Sequence, residues 1–90
     1  MCVYSFEKDV DGNDIYSNDV LISSETASPF LSPNTHVLVL YLNGACVGGY
    51  FNEEDYVEVS SDVFSKCRLV GNVCDQPELY DLFPAFNFDE

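Results

Sequence analysis

Ninety residues carry sixteen Asp and Glu against three Lys and Arg, a formal net charge of −13 that nucleic acid phosphates and anionic membranes would repel. Hydrophobic residues make up 47% of the chain, with seven Phe and six Tyr, which excludes a disordered acidic tail. No apolar run approaches the roughly 18 residues of a membrane span, and the length predicts a single domain over 1–90 with one modest core.

The N-terminus reaches Glu7 without a basic stretch, so no signal peptide is expected and the expected compartment is the cytoplasm. Cys2, Tyr4 and Phe6 alternate with Val3, Ser5 and Glu7, the period of a half-buried strand. Asp9 to Asp14 encloses Gly12 and reads as a turn, after which Ile15 to Ile22 returns antiparallel, weakened at Ser17-Asn18-Asp19. Residues 23–35 hold Pro29 and Pro33 among Ser and Thr and read as a loop, with Phe30 and Leu31 expected to pin it to the core.

His36-Val37-Leu38-Val39-Leu40-Tyr41-Leu42 is apolar on both faces, the mark of a central strand. Asn43-Gly44 predicts a type I′ hairpin turn. The return strand, Ala45 to Phe51, contains Gly48-Gly49, which predicts a bulge or a close backbone approach. A further strand is expected at Tyr56 to Val59, after the acidic turn Asn52-Glu53-Glu54-Asp55. Ser60 or Ser61 can cap a helix in which Val63, Phe64, Cys67 and Val70 share a face and Gly71 marks the stop. Asp75-Gln76-Pro77-Glu78 has capping-box spacing for a second short helix, carrying Leu79, Leu82 and Phe83 inward and ending at Pro84. Phe86 and Phe88 predict partial docking of the tail. The expected fold is α+β: an antiparallel sheet of four or five strands with one or two short C-terminal helices packed on one face.

Catalytic and metal signatures are weak. His36 is the only histidine, and no nucleotide loop or His-Glu-x-x-His motif is present, so no enzyme and no cofactor is expected. Cys2, Cys46, Cys67 and Cys74 lack Cys-x-x-Cys spacing; buried free thiols are the preferred reading, with Cys67 and Cys74 the one pair left open. Glu7-Asp9-Asp11-Gly12 imitates the start of a calcium loop, but Asn18 stands where the closing Glu belongs and strands flank it, so an acidic hairpin turn is expected instead. A strand there would put Asp9 and Asp11 about 6.6 Å apart on one face.

The charge excess is the informative feature, since solubility alone needs a magnitude of only about 2–8. Two clusters are the candidate partner-binding residues: Glu53, Glu54, Asp55 and Glu58 around Tyr56, and Asp75, Glu78 and Asp81 at helical spacing. In size, charge and α+β pattern the chain resembles the small acidic inhibitors of phages and mobile elements: anti-restriction proteins, anti-CRISPR proteins and uracil-DNA glycosylase inhibitors, several of them DNA mimics. The resemblance implies an inhibitor or decoy in a host cytoplasm. Its partner would be a basic nucleic-acid-binding protein or ribonucleoprotein complex. The rival expectation is a structural or assembly module with a salt-resistant interface.

Overall fold

Alternating patterns separated by turn residues favour short antiparallel strands, and strands dominate the computed structural model, which describes residues 2–24, 34–52 and 55–83. β1 (Tyr4–Lys8) and β2 (Asp14–Tyr16) form a two-stranded antiparallel ribbon. β3 (Asp19–Ser23), β4 (His36–Leu42), β5 (Ala45–Asn52), β6 (Asp55–Val59) and β7 (Cys67–Asn72) form a five-stranded antiparallel sheet in the order β6-β5-β4-β3-β7. No helix among the described residues is long and apolar enough to cross a membrane.

The weak centre of the second predicted strand is a true break. Asn18 adopts φ +73°, a left-handed conformation Asn tolerates, and its N–H donates to the Val39 carbonyl at 2.8 Å. β4 lies at the middle of the sheet, as its two-faced apolar pattern predicts. Val37 and Val39 join Ile15, Leu21, Phe64 and Cys67 in one core cluster; Leu38 joins Val20, Val73 and Phe83 in the other. Asn43 and Gly44, at φ +53° and +84°, make the tight turn to β5.

The paired glycines act differently from the expected bulge. The β4–β5 register runs through Gly48 and Gly49 without a shift. What approaches is side chain: a Cβ on Gly48 would stand 2.7 Å from Val37 Cγ1 and 2.8 Å from Val59 Cγ2. The missing Cβ lets Phe64 settle against the sheet, where its full burial contributes about 1.5–3 kcal/mol.

The C-terminal third departs from the predicted helices. A 3-10 helix covers Ser61–Lys66, but Cys67 onward is β7, paired with β3 through Ser23↔Cys67 and Leu21↔Leu69. An isolated ten-residue helix is marginal in water, whereas β3 offers an antiparallel ladder, shifted once at Val70, that draws Cys67 into the core. Val70, expected on the buried face, is therefore exposed. The second helix is also 3-10, Pro77–Leu82, with Gln76 rather than Asp75 at its cap and no side-chain capping bond. Phe83 is buried and Leu79 packs beside it, while Leu82 stays exposed. Pro84, Phe30, Leu31 and the aromatics of the tail lie outside the described residues.

Candidate partner-binding surfaces

Of the first acidic cluster, Glu53, Glu54 and the Asp55 side chain lie outside the described residues. Tyr56 and Glu58 are exposed on the edge strand β6, two residues apart and so on one face. The Tyr56 hydroxyl donates to Glu58 Oε2 at 3.2 Å. Its ring lies over Gly49, where a Cβ would meet the hydroxyl at 2.8 Å and Leu40 Cδ1 at 3.1 Å. The second glycine of the pair thus makes room for this tyrosine. Partial burial, followed by the Glu58 carboxylate, pushes the Tyr56 hydroxyl pKa upward, so it remains a donor at neutral pH.

Asp75, Glu78 and Asp81 are all exposed, in the segment that follows the edge strand β7. The 3-10 turn stacks Glu78 and Asp81 in one row, because residues three apart eclipse at three per turn. Leu79 and Tyr80 of the same turn pack against the cluster of Val20, Leu38, Val73 and Phe83, and the register sets Glu58 opposite Gly49 and Gly49 opposite Leu38. Tyr56 and Glu58 and the Pro77–Leu82 turn therefore lie on the same face of the sheet.

The acids of the β1–β2 turn have a structural task instead. Asp9 is only 5% exposed. Its Oδ1 accepts the N–H groups of Asp11 at 2.9 Å and Asn13 at 2.8 Å; its Oδ2 accepts Leu69 N–H at 2.9 Å and Asn13 Nδ2 at 3.1 Å. Desolvation raises this carboxyl, but the four donors outweigh it and hold the pKa below the usual carboxylate value. Val10 N–H adds a bond to the Cys67 carbonyl at 3.0 Å, so the turn covers the outer edge of β7. Asp11 pairs with Arg68 at 3.0 Å, and Asp14 with Lys8. Asp9 and Asp11 therefore do not form a carboxylate row on a strand face. The oxygens a cation would need are engaged by protein donors.

The same ribbon carries an exposed aromatic row. β1 carries an irregularity between Tyr4 and Lys8, and Phe6 sits at φ +66°. Its ring, expected on a half-buried face, is 84% exposed. Tyr4 stacks between Phe6 and Tyr16, with centroids 5.0 and 5.2 Å away. Tyr4 also donates to Asp14 Oδ1 at 3.2 Å. Alternation gives Tyr4 and Phe6 a shared face, as their stacking shows, but not the exposure of Phe6.

The thiols divide by position. Cys46 and Cys67 are buried and Cys2 and Cys74 exposed; all four are free. Burial pushes the Cys67 thiol up to about 11, which keeps it protonated and unreactive near neutrality. His36 is half-buried at the start of β4. Comparison with known protein families, with curated proteins and with solved structures finds no match.

Proposed function

We propose that the protein is an acidic inhibitor or decoy, not an enzyme, that occupies the basic nucleic-acid-binding surface of an enzyme or ribonucleoprotein defence complex in a host cytoplasm. DNA-mimicking anti-restriction and anti-CRISPR proteins act in this way. One observation carries the reading: the exposed negative charge is uncompensated. Among the described residues, Lys8 and Arg68 are engaged by Asp14 and Asp11, while Glu58, Asp62, Asp75, Glu78 and Asp81 are exposed and make no ion pair. Carboxylates flanking one sheet face present a partner with charge at fixed positions, which favours fast, salt-sensitive association. Glu53, Glu54 and Asp55 continue the acidic sequence next to Tyr56 and complete the proposed partner-binding set.

The test is capture from a bacterial lysate with the tagged protein, washed at low and at high salt. A nucleic-acid-binding protein that salt releases and added duplex DNA or RNA displaces is the expected result. A salt-resistant partner with no affinity for nucleic acid would replace this reading with that of an assembly module.

A further inference from the structure

The exposed ring of Phe6 is held in a conformation that aromatic residues rarely adopt. At φ +66° a side chain crowds its own backbone, and glycine would occupy the site without strain. Burial does not account for Phe6, because 84% of it faces solvent. Backbone strain of this kind is retained where the side chain it displays has a use.

What Phe6 joins is an aromatic row. Tyr16, Tyr4 and Phe6 follow one another across the ribbon at tilted stacking distances, and Tyr41, 50% exposed, stands at the end of β4. Tyr4, Phe6 and Tyr41 wall a groove of about 270 Å³, with Ser5, Ala45 and Ser61 also in its lining. This is slightly under the roughly 300 Å³ at which small-molecule pockets begin, a size suited to a single protruding side chain.

We propose that this groove and the aromatic row dock an arginine-bearing segment of a partner protein. Aromatic faces carry partial negative charge and attract cations. The Asp14 carboxylate that accepts the Tyr4 hydroxyl is already paired with Lys8, so the attraction for a further cation comes from the ring faces within the field of a chain of net charge −13. Guanidinium suits such a surface, since it is planar, weakly hydrated and able to lie flat on a ring. Lysine, a strongly hydrated point charge, matches only the attraction. A second copy of the chain is disfavoured because it would bring a charge of −13 to a charge of −13. The inference rests on the decoy reading only in taking the partner to be basic; the surface is separate from Glu58 and from Asp75, Glu78 and Asp81.

The experiment compares oligo-arginine and oligo-lysine peptides of equal length and charge, binding to the labelled full chain. Calorimetry supplies affinities and NMR follows the aromatic ring resonances. Oligo-arginine is expected to bind about tenfold more tightly, with the largest shifts at Tyr4, Phe6, Tyr16 and Tyr41. Phe6→Gly is expected to melt cooperatively at an equal or higher temperature and to bring the ratio close to one; Tyr4→Leu is expected to lower it independently. Equal affinities in the native chain, or a preference that survives both substitutions, would overturn the docking proposal and leave the acidic decoy standing. Binding of neither peptide would overturn both. Elution of the native chain as a dimer that Phe6→Gly dissociates would assign the face to a second copy and likewise overturn the proposal.

Discussion

Replacing Asp9 by alanine removes one carboxylate and strands the donors on two segments far apart in sequence. Asn13 N–H and Asp11 N–H lose the acceptor that shapes the turn, and Leu69 N–H loses the bond that fastens the turn to β7. Hydrogen bonds to a charged group contribute about 1.5–3 kcal/mol each, and unsatisfied buried donors cost about 1–3 kcal/mol. Asp11 N–H can turn to water, which leaves two effective losses and a destabilisation of roughly 3–5 kcal/mol. That is a large share of the 5–15 kcal/mol typical of a domain. At about 4–8 °C per kcal/mol, the melting temperature should fall by at least about 12 °C. Asp9→Asn keeps one acceptor and should fall between the two. The sign with pH is set by the lowered pKa: the contribution is fully present above the unfolded value near 3.9 and is lost as pH falls below it. The deficit of Asp9→Asn should therefore shrink on acidification. Thermal melts followed by circular dichroism, with Asp11→Ala as the exposed ion-pair control at under about 1 kcal/mol, provide the assay. An Asp9→Ala midpoint no lower than that of Asp11→Ala would refute the assignment of Asp9 as the fastener.

Gly48→Ala should destabilise by about 1–3 kcal/mol in urea unfolding, because the new Cβ meets stiff β-branched Val37 and Val59 inside 3 Å. Native protein should expose Cys2 and Cys74 to a thiol reagent and protect Cys46 and Cys67, with all four reacting in denaturant. The raised Cys67 pKa means the folded state keeps its proton longer than the unfolded chain, so stability should decline as pH rises from the ordinary value of 9.0 toward about 11, and Cys67→Ser should flatten that decline. Moderate NaCl should raise the melting temperature by screening the carboxylates; a fall would point to local charge pairing as the dominant contribution.

Local chemistry made much of the sheet readable from the sequence. Asn43-Gly44 and the Asp9–Asn13 turn specify backbone conformations that few other residues adopt, and the uninterrupted run from His36 has no place except a sheet centre. The segment from Cys67 has a local helical spacing, but its partner strand β3 lies 44 to 46 residues earlier, with Ser23 opposite Cys67 and Ile22 opposite Arg68. The aromatic face was legible only in part. Period-two spacing gives Tyr4 and Phe6 one face, and their rings do stack, but alternation alone cannot say that Phe6 meets solvent or that its backbone takes a positive φ. Of the acidic candidates, composition identified the charge but not its use. Asp9 reads like any other acid until Leu69 is found against it, whereas Glu78 and Asp81 remain solvent-facing as their spacing predicted.

The most direct test of the acidic decoy is the salt dependence of its affinity for the captured partner, measured for the native chain and for the Asp75→Asn, Glu78→Gln, Asp81→Asn variant. From about 0.1 M to 1 M salt the Debye length falls from about 10 Å to 3 Å. Native affinity should drop steeply over that range. The variant should bind about ten- to a hundredfold more weakly at the low end, on the basis of roughly 0.5–1 kcal/mol per exposed charge, and its salt dependence should be shallower. Equal affinities and parallel salt slopes for the two proteins would contradict the account.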